Sequence, residues 1–155
     1  MNNQRRTVLK SGSGAALLGM LAAAGIITPG MALANWNKAA FDAKSMADTL
    51  KALGAGAPAD SKDVQVTGPD IAENGAVVPV GVATSLPNVS MVAILVEKNP
   101  NALAATFTLP ADTEANVQTR IKMGQTSNIY ALVKSGDKFF MATKEIKVTL
   151  GGCGG

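Results

Sequence analysis

Residues 90–110 read SMVAILVEKNPNALAATFTLP, and the reading of this stretch decides the fold. Ser90 to Val96 is a dense apolar run closed by Asn99-Pro100-Asn101, a turn signal in which proline and asparagine both oppose a continuing strand or helix. The chain then resumes with strict alternation. Leu103, Ala105, Phe107 and Leu109 share one face, the period is two rather than 3.6, and Pro110 ends the run. Two strands separated by a turn are therefore expected here.

The same pattern extends in both directions. Upstream, Val64 and Val66 alternate with polar neighbours, and Asn74-Gly75 marks a turn before Ala76-Val77-Val78-Pro79-Val80-Gly81-Val82. Downstream, Val117, Thr119, Ile121 and Met123 share a face and stop at Gly124. Ile129–Val133 and Phe139–Ala142 flank Ser135-Gly136-Asp137, a hairpin signal, and a last strand is expected from about Glu145 to Leu150. About seven strands at regular spacing with no helix between them predict a mainly β fold, an antiparallel β-sandwich. The likeness to an immunoglobulin domain is one of architecture only, because one cysteine cannot bridge two sheets. Pro79 cannot donate to a ladder, so its strand is expected at an edge or at a bulge. Before the strands, Trp36, Ala39/Ala40, Ala43, Met46/Ala47, Leu50 and Leu53 recur at helical spacing, predicting a packing helix over Asn35 to Leu53. Gly54 suits the position just past its end, and Ala55-Gly56-Ala57-Pro58 terminates it.

The first 34 residues read as an export leader. Arg5-Arg6-Thr7-Val8-Leu9-Lys10 is basic, an Ala/Gly-rich apolar stretch follows from about Ala15 to Ile27, and Ala32-Leu33-Ala34 supplies the small residues of a cleavage site before Asn35. The paired arginines resemble a bacterial twin-arginine signal, with Gln4 and Val8 departing from its commonest form. A periplasmic location follows as the expectation, with no membrane anchor after cleavage. Three of the 14 basic residues lie in this leader, leaving 11 basic against 11 acidic residues in the remainder. A chain with no net charge and no basic face is not expected to bind nucleic acid.

Composition excludes much chemistry. The chain has no histidine and one cysteine. It therefore has no imidazole base or metal ligand, no zinc-cysteine site, no CxxC redox pair and no four-thiolate cluster. No metal or cofactor is expected. The organisation read from the sequence is a leader over 1–34, a helix and linker over 35–57, a sandwich over 58–150 and a terminal arm over 151–155.

That arm is Gly151-Gly152-Cys153-Gly154-Gly155. Glycines have no side chains to pack and leave the sulfur unshielded, so a flexible segment reaching roughly 16–18 Å when extended is expected. An ordinary thiol, with a pKa of about 8.5, is only a few per cent thiolate at neutral pH, and no nearby residue would activate it. Activation would have to come from a site that the arm enters. Two readings of Cys153 stand side by side. It is a functional thiol presented to enzymes, or it forms an intermolecular disulfide in a periplasmic binding or assembly module. A third reading, catalysis by the carboxylates Asp70 and Glu73, has only a turn with two acids to support it.

The glycine-flanked terminal cysteine, the paired-arginine leader, Ile71-Ala72-Glu73-Asn74-Gly75-Ala76-Val77-Val78-Pro79-Val80 and Thr84-Ser85-Leu86-Pro87-Asn88-Val89 together resemble the SoxY family of sulfur carriers from the bacterial thiosulfate-oxidising (Sox) system. The resemblance spans essentially the whole chain. It implies that Cys153 carries pathway intermediates on a swinging arm formed by Gly151, Gly152, Gly154 and Gly155, with the chain a covalent scaffold and not an enzyme. It also implies a heterodimer with SoxZ, a smaller β-sandwich protein. Transient visits to a haem enzyme, a sulfate-releasing hydrolase and, where present, a sulfane dehydrogenase follow from the same resemblance.

Overall fold

The computed structural model describes residues 36–149. Arg5, Arg6 and the cleavage site lie outside the described residues, as do Cys153 and its four glycines. The described residues from Asn37 onward belong to one compact unit.

Two short helices, α1 (Lys38–Asp42) and α2 (Met46–Ala52), precede nine strands: β1 (Ala59–Asp60), β2 (Val64–Thr67), β3 (Ile71–Ala72), β4 (Val78–Thr84), β5 (Val89–Val96), β6 (Leu103–Thr108), β7 (Asn116–Ile121), β8 (Ser127–Ser135) and β9 (Lys138–Val148). The larger sheet runs β1-β9-β8-β5-β6, with β3 also on β9, and the smaller runs β2-β4-β7. The seven longer strands are the expected sandwich. Two details differ. The segments expected to end at Ala142 and resume at Glu145 are one 11-residue strand, β9. The two-residue strands β1 and β3 pair with it in parallel. The hairpin closes as its sequence demands, since Ser135 pairs with Lys138 and Gly136 takes φ +56°, a conformation glycine adopts without steric cost.

The dense run of β5 has a physical explanation. Val92, Ile94 and Val96 face the core between the sheets, while Ala93 and Leu95 face a second cluster. Likewise Ile129, Ala131 and Val133 of β8 point inward and Leu132 outward. A strand covered on both sides needs no polar face. Burying each large aliphatic side chain of this kind contributes about 1.5–3 kcal/mol.

The cover on the outer side is the helical pair. It is not the single helix expected over Asn35 to Leu53: Trp36 precedes α1, and the chain breaks at Ala43, whose backbone is extended. Competing caps cause the break. Asn37 accepts from the Ala40 amide to start α1, and the Ser45 hydroxyl accepts from the Asp48 amide to start α2. The expected end is present. Gly54 at φ +76° donates to the Lys51 carbonyl, and the Ala55 amide donates to the Leu50 carbonyl at 2.8 Å, a Schellman arrangement. Asn37 Nδ2 then reaches the Ala52 carbonyl at 2.7 Å and ties the two helices together. Phe41, Met46, Leu50 and Leu53 pack with Leu95, Leu103 and Leu132.

Leu103 corrects the alternation expected for β6. The β5–β6 register shifts between Ile94 and Leu95, so that Ile94 pairs with Ala105 but Leu95 with Leu103. A bulged residue sends the side chains on its two sides to opposite faces. Ala105, Phe107 and Leu109 therefore join the inner core, while Leu103 joins the cluster under the helices. Pro79 is the other correction. β4 is the central strand of its sheet, yet β2 stops with Thr67 opposite Gly81, so at Pro79 only β7 is alongside. The strand is an edge only locally, where a missing N–H costs nothing.

Candidate functional site

The candidate nucleophile, Cys153, lies beyond the described residues, which end at Thr149, just past β9. β9 delivers the chain to that point. The end of this strand is held along both edges and from below.

On one edge sits β3, with Ile71 opposite Lys147 and Ala72 opposite Val148. The Lys147 amide donates to the Asp70 carbonyl at 3.0 Å and the Thr149 amide to the Ala72 carbonyl at 3.1 Å. On the other edge the β8 ladder ends at the Ser127–Ile146 pair. Beyond it, the Thr126 hydroxyl accepts from the Val148 amide at 2.9 Å and lies 3.5 Å from the Val148 carbonyl, to which it donates. From below, the Val148 side chain packs on the inner core.

The turn at Asn74-Gly75 completes the enclosure. Asn74 Oδ1 accepts from the Ala76 amide at 2.9 Å, and the Gly75 carbonyl accepts from the Met123 amide at 2.7 Å. A Cβ at Gly75 would stand 2.4 Å from the Met123 carbonyl oxygen and 2.9 Å from a Val148 methyl. Glycine is required here by close approach, not by a turn dihedral. The segment also exposes two large apolar side chains, Ile71 at 56% and Val77 at 50%.

Asp70 is the electrostatic fastener. Its carboxylate accepts from Lys144 Nζ at 2.6 Å. That hydrogen bond, then the Lys144 charge and more weakly the Lys147 charge, hold its pKa below the ordinary Asp value against a small opposing effect of desolvation. The folded state thus binds this proton less readily than the unfolded chain. The contribution of the bridge is complete at neutral pH and disappears as the pH falls below the ordinary Asp range. Asp70→Asn is expected to flatten the acid limb of the stability curve below about pH 4. Parallel limbs for variant and parent in acid denaturation followed by circular dichroism would show that the bridge contributes nothing.

This arrangement also decides against the carboxylate pair as a catalyst. Asp70 is committed to Lys144, and its pKa moves away from the range that a general acid needs. Glu73 is exposed beside it. At the opposite pole an open groove of about 600 Å³ is lined by Leu86, Asn88, Leu109, Asp112 and Glu114 among others, and supplies no thiol or imidazole. What the described residues build around β9 is an anchor for the end of that strand. Thr126 had no signal in the sequence, because the Val148 backbone it binds lies 22 residues away. The role of Gly75 was hidden for the same reason.

A family profile described as "Sulfur oxidation protein SoxY" matches residues 50–153. Among solved structures, the sulfur carrier protein SoxY from Chlorobium limicola f thiosulfatophilum is 35% identical, with a TM-score of 0.63 over 74% of this chain and 100% of that chain. A chain from a structure on T-cell activation by the superantigen toxic shock syndrome toxin-1 aligns with 10% identity and a TM-score of 0.39 over 56% of this chain and 99% of that chain, too remote a likeness to carry an argument. No curated protein sequence is significantly similar to this chain.

Proposed function

The chain belongs to the SoxY family, and from that membership we propose that Cys153 is the atom site on which sulfur-pathway intermediates are held covalently. The protein is a sulfur carrier of the Sox system, a scaffold for substrate rather than a catalyst. The observation that carries the assignment of the residue is that the matched stretch ends on residue 153, the chain's one cysteine.

The chemistry follows from what a thiol can do. Joining it to the sulfane sulfur of thiosulfate forms an S–S bond, releases the thiol proton and yields an electron pair, which a haem enzyme takes up. Water then attacks the terminal sulfone sulfur on a hydrolase. The bond to the sulfane sulfur breaks, sulfate leaves and the electron pair stays on the cysteine persulfide. Where a sulfane dehydrogenase is present, it oxidises the outer sulfur, and a second hydrolysis restores the thiol. The carrier supplies no catalyst, and an arm of small residues lets one thiol enter several sites in turn.

SoxZ is the proposed stable partner, and the three enzymes are transient ones. The basic, then apolar, pattern of residues 1–34 supports a periplasmic location reached by the twin-arginine route, with export through Arg5 and Arg6 and cleavage before Asn35. N-terminal sequencing of the exported protein is expected to begin at Asn35, and a protein still beginning at Met1 would contradict this.

The deciding experiment is non-reducing intact mass spectrometry of protein from cells exposed to thiosulfate. Adducts of about +32, +80 or +112 Da, corresponding to S, SO3 and S plus SO3, are expected on Cys153. A single protein–protein disulfide unchanged by thiosulfate would instead make the tail a clasp for assembly.

A further inference from the structure

We infer that Thr126 and the Asp70–Ala72 segment form a clamp that fixes where the carrier arm begins, making Thr126 a positioning residue for delivery of Cys153. The inference rests on the carrier reading of Cys153.

Three consecutive backbone amides carry it. Lys147 donates to the Asp70 carbonyl, Val148 to the Thr126 hydroxyl and Thr149 to the Ala72 carbonyl, at 3.0, 2.9 and 3.1 Å. The amides point alternately to the two edges of the strand, and each meets a different residue. The ladder with β8 has already ended at Ile146. A strand end that runs past its last ladder pair ordinarily frays. Here one side-chain hydroxyl replaces the missing backbone partner, accepting from the amide and donating to the carbonyl of Val148. Neither edge suffices alone, because β3 is only two residues long.

The consequence is a defined arm length. With the clamp shut, Cys153 lies four residue steps beyond Thr149, a reach of about 14 Å. With the clamp open, the last fixed residue is Ile146, and seven residues give a reach of about 24 Å. A longer tether dilutes the thiol at a docked active site, by roughly twofold for this change in length. The clamp therefore sets the greatest distance from the fold that Cys153 can reach.

Thr126→Val and Thr126→Ser separate the hydroxyl from the methyl. Two readouts apply to the full chain: amide hydrogen exchange at Val148 and Thr149, and the spectrum of a nitroxide attached to Cys153, the only cysteine. Thr126→Val is expected to lower protection of the Val148 amide by roughly 5- to 10-fold, the equivalent of one hydrogen bond. The nitroxide lines should narrow, and the amides of Val92 and Ile94 should keep their protection. Thr126→Ser is expected to restore both readouts. The inference is overturned if Thr126→Val leaves Val148 and the nitroxide unchanged, if protection falls equally throughout the core, or if Ser fails to rescue. Should Thr126→Val not fold, Thr126→Ala removes the same hydroxyl in a smaller side chain. The Val148 amide must then lose protection and the label must gain mobility, and unchanged values reject the clamp. Both readouts are independent of sulfur chemistry. Absence of thiosulfate adducts on the parent protein would remove the carrier reading while leaving the clamp separately measured.

Discussion

Cys153→Ser is expected to abolish every thiosulfate-dependent mass adduct and to reduce sulfur oxidation by the reconstituted system to background, while leaving the fold intact. Both halves follow from the same facts. The chain contains one thiol, so no second sulfur can take over. A serine hydroxyl has the same shape but does not form a sulfur–sulfur bond, and its anion is inaccessible at neutral pH. The described residues form the core and both sheets among themselves, so stability is expected to change by less than about 0.5 kcal/mol, as at surface positions. Turnover by the serine variant above background would end the assignment of Cys153. A variant that loses stability by several kcal/mol would show that the cysteine also has a structural task.

Leu132→Ala is expected to cost about 3 kcal/mol, within the 2–5 kcal/mol typical of such truncations. Leu132 is fully buried on the outer face of β8, near the middle of the larger sheet, in the cluster formed with Ala93, Leu95 and Leu103 beneath the helices. If the helical pair is a fixed cover, the lost methyl groups leave a cavity there. The melting temperature should drop by roughly 10–15 °C for a domain of this size. Urea denaturation gives the direct test. A loss below about 1 kcal/mol would mean that the helices adjust freely and are not part of the cooperative core. Sulfur loading well below the melting temperature should remain normal, because this cluster lies away from the end of β9.

The two predictions rest on differently legible parts of the molecule. The cysteine was conspicuous because four glycines and a chain end are a local arrangement. The Gly136 hairpin and the Gly54 helix end were legible for a similar reason, since each depends on the conformation of one residue and its nearest neighbours. The helix break at Ala43 leaves no mark in the apolar periodicity, which runs straight through it, although both caps, Asn37 and Ser45, are present in the sequence.

The sequence by itself determined most of the longer strands, the hairpin turn at Gly136, the sandwich class and the position of the one thiol. Each of these depends on periodicity or on side-chain chemistry within a few residues. Only the tertiary structure decided that β5 and β8 are covered on both faces, that a bulge opposite Ile94 and Leu95 turns Leu103 toward the helices, and that Pro79 occupies a locally open place in a central strand. It alone brought Asp70, Ala72, Gly75 and Thr126 to the end of β9. Such pairings join residues 22 to 77 positions apart, and short-range pattern carries no record of register: moving a strand by one residue preserves its alternation while exchanging the faces of all its side chains.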